Sequence, residues 1–152
     1  MIEYQQSTFF ESPKVVAKEI FNLLTKSYGE SPWTINTIIL DLMQRNRLFI
    51  AAFDNDELIG FLSAIVINPE VEITNIAVLP KYRRQGVGEK LLCLLKEDVE
   101  IVWLEVRESN TNARKLYQKV DFYETGRRKG YYQQPKEDAI LMEWRKNVHF
   151  SD

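Results

Sequence analysis

A short loop between an apolar strand and a helix contains the residues best suited to bind a phosphate. Pro80 ends the apolar run, a basic segment follows, and Gly86 and Gly88 stand where the helix begins. Glycines at a helix start let the backbone approach a ligand closely. The free N–H groups and the helix dipole favour an anion there. The spacing therefore predicts a phosphate cradle, the name we use for residues 83–89.

Two common phosphate-binding motifs do not fit this cradle. A P-loop places a lysine and then serine or threonine after its glycines, and this chain does not. The dinucleotide fingerprint needs a third glycine three residues on, where this chain has Leu91. Arg83, Gly86 and Gly88 instead fill the pattern Arg/Gln-x-x-Gly-x-Gly/Ala. An ordinary strand-loop-helix joint is the alternative, because glycines are common at such joints.

The cradle pattern resembles the signature of the GNAT superfamily of acetyl-CoA-dependent N-acetyltransferases. A second, ordered set of residues resembles the RimI-type enzymes of that superfamily, which acetylate the N-terminal alanine of a small-subunit ribosomal protein. The likeness runs from residue 31 to residue 144. The matching stretches are Ser31-Pro32-Trp33, Trp103-Leu104-Glu105-Val106-Arg107, Ser109-Asn110, Ala113, Leu116-Tyr117, Arg127-Arg128, Tyr131-Tyr132, Glu137-Asp138-Ala139 and Met142.

The resemblance implies acetyl-CoA as the co-substrate, with no metal. Its pyrophosphate would bind the cradle, through Arg83, Arg84, Gln85, Gly86, Val87, Gly88 and Glu89. The pantetheine arm carries amides and behaves as an extra strand, so we expect it to pair with the backbone of Ile76, Ala77 and Val78. A fork between this strand and the strand of Glu105 would leave those groups free. Asn110 would hydrogen-bond the arm, cap the following helix, or do both.

The reaction requires an amine to attack a thioester carbonyl as a neutral nucleophile. An α-amino group has a pKa of about 7.7–8.0 and a lysine about 10.4, so roughly a tenth of N-termini but very few lysines are neutral at pH 7. An enzyme for N-termini therefore needs only a modest base, acting directly or through water. The resemblance implies Glu105 as this proton acceptor; a structural carboxylate paired with a neighbour such as Arg107 is the alternative. It implies Tyr117 as the proton donor to the departing sulfur, with a core tyrosine as the alternative.

Three aromatic residues are candidate acceptor contacts: Trp33, Tyr131 and Tyr132. Trp33 could equally be a packing residue that closes a helical hairpin. The sequence also departs from the family. Asp121 stands where glycine normally ends a helix in the left-handed region, which aspartate tolerates less easily. Lys129-Gly130 precedes the paired tyrosines, so the spacing of this acceptor-binding loop differs.

Composition limits the class of protein. The 152 residues suit a single domain spanning 1–152, and the net charge of -2 suggests no general affinity for nucleic acid. One cysteine excludes an internal disulfide and fits a reducing cytosol. No apolar run approaches a membrane span and no signal peptide is recognisable, so we expect a cytoplasmic protein. No residues have metal-ligand spacing, and the sequence does not indicate an oligomeric state.

Apolar periodicity predicts the elements that position these residues. Ser12-Pro13 begins a helix that Gly29 ends, and Thr34 caps a second helix, which together form a hairpin. Further helices are predicted over 86–97, where Cys93 is expected to be a buried thiol, and over 110–120. Strands are predicted within 1–10 and over 47–53, 58–67, 71–79, 100–106, 122–130 and 138–145, with a loose tail over 147–152 that includes a solvated His149.

The family resemblance gives these elements an α/β arrangement, the GNAT fold. It implies a mixed, mostly antiparallel sheet of about seven strands, flanked by about four helices. A central parallel pair, joined as a βαβ unit, would splay to hold acetyl-CoA.

Three functions compete for this sequence. The first is acetylation of the N-terminal α-amine of a protein, with a ribosomal protein as the partner. The second is acetylation of a small amine such as a polyamine or an aminoglycoside, which favours an acidic pocket instead of an open groove. The third is a domain that only binds acetyl-CoA, which loss of Glu105 and Tyr117 would favour, and both are present. An acetylation assay on peptides and spermidine separates them.

Overall fold

One seven-stranded sheet, in the order β1-β2-β3-β4-β5-β7-β6, runs through the computed structural model, which describes residues 1–8 and 10–147. In this part of the chain the strands are β1 (Ile2–Ser7), β2 (Arg47–Asp54), β3 (Glu57–Ile67), β4 (Glu70–Val78), β5 (Ile101–Arg107), β6 (Tyr123–Tyr132) and β7 (Glu137–Arg145). The helices are α1 (Pro13–Tyr28), α2 (Ile35–Leu42), α3 (Val87–Lys96) and α4 (Thr111–Lys119). The predicted tail, with His149, lies outside the described residues from 148 onward.

The first four strands pair antiparallel, each with the next along the chain. Asp54 pairs with Glu57, so Asn55 and Asp56 alone make the turn between β2 and β3. Both have positive φ, 49° and 70°, as a two-residue hairpin turn requires. The short, weakly patterned strand predicted near the N-terminus is β1, which pairs with β2.

The parallel pair β4–β5 is short, and the two strands then separate. Only Glu70, Val71 and Glu72 pair with β5, opposite Ile101, Val102 and Trp103. One residue later β4 carries a β-bulge: Ala64 of β3 pairs with Ile73 and Ser63 with Asn75, so Thr74 is the extra residue. A bulge bends its strand and increases the local twist. The strands therefore diverge beyond Glu72, which confirms the predicted fork.

The two N-terminal helices pack together as the predicted hairpin. Pro13 starts α1, Gly29 ends it at φ 78°, and the Thr34 side chain caps α2 by accepting a hydrogen bond from the Thr37 N–H at 3.1 Å. Buried side chains of α1 include Ala17, Ile20, Leu23 and Leu24. No helix among the described residues is long and apolar enough to cross a membrane.

The prediction of a buried thiol at Cys93 is wrong. Cys93 is exposed, whereas Leu91, Leu92 and Leu95 are buried. Cys93 lies two residues from both Leu91 and Leu95, about 200° around the helix axis from each. Leu92 faces the core instead, and Leu94 is only half-buried.

Asp121 adopts the left-handed conformation in which glycine is usual, with φ 70°. The N–H of Phe122 donates to the Tyr117 carbonyl at 3.0 Å and that of Asp121 to the Gln118 carbonyl at 3.1 Å. These two bonds are the pattern of a Schellman helix end. The chain therefore keeps the helix end of the family without its glycine, at a conformational cost.

We expect Asp121→Gly to stabilise the protein by about 1 kcal/mol, because glycine adopts this conformation without the steric cost paid by other residues. For a chain of this size that corresponds to a rise of about 2–4 °C in melting temperature. Thermal unfolding measures it. Asp121→Asn is the control, because it removes the same charge and keeps a side chain; a lower melting temperature for the glycine variant than for wild type would contradict the expectation.

Candidate active site

The fork leaves one edge of β4 without a neighbouring strand. The Leu79 N–H donates to the Ile59 carbonyl of β3 at 2.8 Å, so the backbone groups of Leu79 point toward β3. Successive residues of a strand direct these groups to alternate edges. Ile76 and Val78 therefore direct theirs into the fork, and Ala77 directs its own toward β3. Of the three residues predicted to pair with an extended ligand, Ile76 and Val78 have the suitable orientation.

The cradle surrounds the N-terminus of α3. Gly86 is the N-cap, with φ 80°, and Arg84 before it also has positive φ, 63°. The first helical hydrogen bond runs from the Lys90 N–H to the Gly86 carbonyl at 2.9 Å. The N–H groups of Val87, Gly88 and Glu89 thus precede the helical ladder and are free for an anion.

Gly88 has a packing role that sequence reasoning did not foresee. A Cβ at this position would lie 3.0 Å from Cδ2 of Leu116 on α4. Gly86 differs, because a Cβ there would meet nothing within 4 Å and only its positive φ favours glycine. One glycine therefore allows the turn, and the other allows α3 and α4 to touch.

The side chains of the cradle are mostly exposed, and several are held in place. Arg83 donates from Nε to the Val78 carbonyl at 3.2 Å, inside the fork. Gln85 donates to the Lys81 carbonyl at 3.0 Å. The Glu89 carboxylate lies 3.3 Å from Lys119 Nζ, so a cation offsets the acidic group nearest the anion site. Arg84 leaves a second guanidinium at the surface of the loop.

Glu105 lies on β5, on the face opposite the buried Val102, Leu104 and Val106. Its carboxylate lies 3.3 Å from Arg128 Nη2 of β6, and its side chain is 13% exposed. Glu105 is therefore ion-paired, as the structural alternative predicted, but its partner is Arg128 and not Arg107. Arg107 instead lies 3.2 Å from Glu137.

Tyr117 points from α4 into the core and is 5% exposed, with its ring 5.8 Å from that of Phe122. Burial raises the pKa of its phenol, and the neighbouring Tyr28 and Tyr132 raise it further. No group in residues 1–8 or 10–147 hydrogen-bonds its hydroxyl. The phenol is therefore neutral at physiological pH, with its O–H available as a donor.

Asn110 is the N-cap of α4, which was one of its two predicted roles. Its Oδ1 accepts a hydrogen bond from the Ala113 N–H at 3.2 Å. The side-chain amide Nδ2 makes no hydrogen bond within the described chain. The cap therefore leaves a donor available for a ligand beside α4.

Arg107 fixes the loop between β6 and β7, which follows the paired tyrosines. Its guanidinium donates to the carbonyls of Gln133 and Pro135 at 3.3 and 3.1 Å, and lies 4.4 Å from the centre of the Tyr132 ring. Tyr131 is 49% exposed, and its ring meets that of Tyr132 edge to face at 5.2 Å. The two tyrosines thus form a supported aromatic surface.

Trp33 is half-buried and packs against the core next to the hairpin, which supports its packing role. The Ser31 hydroxyl, which donates to the Trp33 carbonyl at 2.6 Å, holds its backbone. In the described residues no group of three or more His, Cys, Asp or Glu side chains could hold a metal ion.

Three charged residues near Glu105 were not identified from the sequence. Arg128 is its ion-pair partner, Glu72 interacts electrostatically with it, and Arg47 is a buried cation that interacts with Glu72. Glu72 and Arg47 could have been noticed as charged residues inside strands that are otherwise apolar. The proximity of Glu72 to Glu105, and of Arg47 to Glu72, depends on strand order, which local patterns do not give.

Comparison with known proteins identifies the family. Residues 17–122 match the acetyltransferase (GNAT) family. The chain belongs to that family. It is 40% identical over 119 residues to the [ribosomal protein bS18]-alanine N-acetyltransferase of Haemophilus influenzae, an alignment that covers 73% of this chain and 80% of that protein.

Solved structures agree with this GNAT assignment. The crystal structure of the ribosomal-protein-S18-alanine N-acetyltransferase from Escherichia coli superposes with a TM-score of 0.79 at 29% identity, covering 97% of this chain and 100% of that one. Arabidopsis thaliana NAA60, solved in complex with acetyl-CoA, shares the fold with a TM-score of 0.77 at 18% identity, covering 97% and 100%. The splayed parallel pair and the seven-stranded sheet are thus those of a GNAT acetyltransferase.

We expect Gly86→Val to weaken acetyl-CoA binding at least tenfold, because a β-branched residue disfavours the left-handed turn that aims the cradle N–H groups. Isothermal titration calorimetry measures the affinity. Gly29→Val is the matched control, since Gly29 also has positive φ and open space around a Cβ but lies at the end of α1. It should lower stability and leave the affinity unchanged. Equal affinities for wild type and Gly86→Val would remove the cradle from the site.

Proposed function

We propose that this GNAT enzyme transfers the acetyl group of acetyl-CoA to the N-terminal α-amine of a protein. The acceptor we propose is the N-terminal alanine of the small-subunit ribosomal protein bS18, on which the Haemophilus influenzae and Escherichia coli relatives act according to their names. The fork between β4 and β5 carries the proposal, because it brings an open strand edge, the cradle and Glu105 to one place. Such an acceptor would also make the enzyme cytoplasmic.

The residues present suit the binding of acetyl-CoA, which supplies an activated thioester. The outward backbone groups of Ile76 and Val78 can pair with the amides of the pantetheine arm. The free N–H groups at the start of α3 suit its pyrophosphate, with Arg83 and Arg84 as cations beside them. Asn110 has a free amide donor for the arm. The Arg83 contact with the Val78 carbonyl has to open when the arm pairs there.

Glu105 and Tyr117 suit the two proton transfers of the reaction. The acceptor's α-ammonium must lose a proton before its nitrogen can attack, and the Glu105 carboxylate can take it directly or through water. When the carbon–sulfur bond breaks, the thiolate needs a proton, which the Tyr117 hydroxyl can donate. Burial keeps the phenol protonated, so Tyr117 is in its acid form when the thiolate leaves. Arg128 forms an ion pair with the Glu105 carboxylate at 3.3 Å.

The aromatic surface suits a peptide acceptor. Tyr131 is exposed enough to contact a ligand, and Tyr132 is held by Arg107. A small first side chain would let the amine reach the thioester beside these rings, whereas a large one would collide with them. This arrangement explains a preference for alanine by shape, and the α-amine pKa explains a preference for N-termini over lysine.

We expect acetylation of the α-amine of a peptide that begins with alanine, and none of an internal lysine. The panel contains this peptide, the same peptide with a blocked N-terminus and a lysine, and spermidine. Mass spectrometry locates the acetyl group and a free-thiol assay gives the rates. Label on the lysine of the blocked peptide, or faster turnover of spermidine than of the alanine peptide, would overturn the peptide proposal.

Tyr117→Phe removes a single hydroxyl from the buried ring. We expect turnover to fall by roughly 10²–10⁴, the usual contribution of a positioned acid, while acetyl-CoA affinity is retained. Tyr4→Phe, on the edge strand β1, is the control that loses a hydroxyl elsewhere. Turnover within about threefold of wild type from pH 6 to pH 9 would show that Tyr117 only packs and that water protonates the thiolate.

A further inference from the structure

Glu72 is the last residue of β4 that pairs with β5 before the fork opens. Its neighbours Val71 and Ile73 are buried, so its side chain projects from the opposite face of the sheet. Val71 and Val102 are register partners and both are buried, so the face of Glu72 is also that of Trp103 and, two residues on, Glu105. In a regular sheet, strand spacing and rise would put the Cα atoms of Glu72 and Glu105 about 8 Å apart, and the divergence of the strands beyond Glu72 adds to this distance.

The cations around Glu72 are already paired with other carboxylates. Arg47 Nη2 lies 2.5 Å from Asp41, and Arg128 Nη2 lies 3.3 Å from Glu105. No group in the described residues forms a hydrogen bond or an ion pair with the Glu72 carboxylate. The two guanidinium groups of this cluster thus face three carboxylates, those of Asp41, Glu72 and Glu105. The negative charge of Glu72 is the one left without a paired cation.

The electrostatics of Glu72 agree with this excess. Partial burial raises the pKa of its carboxyl, and the charge of Glu105 raises it further, while Arg128 and Arg47 oppose the shift. A cation placed between Glu72 and Glu105 would relieve both effects. Half-buried carboxylates without a partner are uncommon, because desolvation without compensation is costly.

We propose that Glu72 is a substrate-binding residue that accepts a hydrogen bond from the α-ammonium group of the acceptor. This inference rests on the proposed function, because it assigns the acceptor amine to the mouth of the fork. Glu72 would hold the charged amine between the two strands, and Glu105 would then take the proton. Binding and proton removal are thus divided between two carboxylates on one face of the sheet.

The division predicts different kinetic effects for the two carboxylates. Glu72→Gln keeps the size of the side chain and removes its charge. We expect the KM for the alanine peptide to rise at least tenfold at pH 7, with kcat within about twofold of wild type and an unchanged affinity for acetyl-CoA. At pH 9, where most α-amines are neutral, the difference in KM should shrink. Glu105→Gln should instead lower kcat at pH 7.

Direct binding separates affinity from turnover. Calorimetry of the enzyme–CoA complex should show weaker binding of the alanine peptide to Glu72→Gln, and equal binding of the des-amino peptide to both proteins. Glu70→Gln is the matched control, because Glu70 lies two residues earlier on the same strand, at the closed end of the fork. Glu72→Asp tests the charge in a second variant and should bind the peptide more tightly than Glu72→Gln.

The outcomes that oppose this inference differ from those that oppose the proposed function. If wild type does not acetylate the alanine peptide, the proposed function fails. If wild type does so and Glu72→Gln has the same KM and the same peptide affinity, only the role of Glu72 fails. A fall in kcat at constant KM would likewise overturn it, because Glu72 would then act through Glu105 or Arg128 and not by binding the amine.

Discussion

One extra residue in β4, Thr74, separates the paired and the open parts of the central strands. Its hydroxyl donates to the Ser63 carbonyl of β3 at 3.1 Å and accepts a hydrogen bond from Arg47 of β2 at 3.0 Å, so groups on β3 and β2 hold the bulge in place. The bend it introduces ends the pairing with β5 after Glu72. This bend therefore produces both the open edge of β4 and the gap between the strands that carry Glu72 and Glu105.

The main effect of the buried Arg47 guanidinium is to hold the bulge in position. Its contribution to the free energy of unfolding is the smaller effect. Arg47 is 1% exposed, and burial lowers its pKa and raises that of Asp41 in spite of their ion pair. Desolvation therefore outweighs the Coulomb attraction, as is common for buried pairs. Its donors reach Asp41 of α2, Ser63 of β3 and Thr74 of β4, so one side chain sets the position of the helical hairpin relative to the fork.

Local patterns predicted the elements of the fold well, because each depends on residues close in sequence. Thr34 and Asn110 cap helices as expected, and the cradle glycines stand at the start of α3. The burial of Cys93 was predicted wrongly because the run of leucines in α3 allows two choices of buried helix face. Cys93 lies on the exposed face.

The pairs that define the site could not be predicted from local patterns. Arg128 meets Glu105 because the sheet order brings β6 close to β5 across β7, although residues 106–127 separate the two in sequence. Glu72 likewise meets Glu105 through the register of β4 and β5. The resemblance to a family pointed to Glu105 and Tyr117 as catalytic candidates, but it did not show which charged residues the fold places beside Glu105.

Arg107 holds the loop between β6 and β7 through contacts that do not depend on the loop's own side chains. All its polar contacts with that loop go to two main-chain carbonyls and to the Glu137 carboxylate, which also accepts the Ser109 N–H at 2.9 Å. Main-chain carbonyls are present whatever side chains the loop carries. The side chains of residues 133–136 can therefore change without loss of these contacts, while a carboxylate at 137 keeps the loop attached to the strand that carries Glu105.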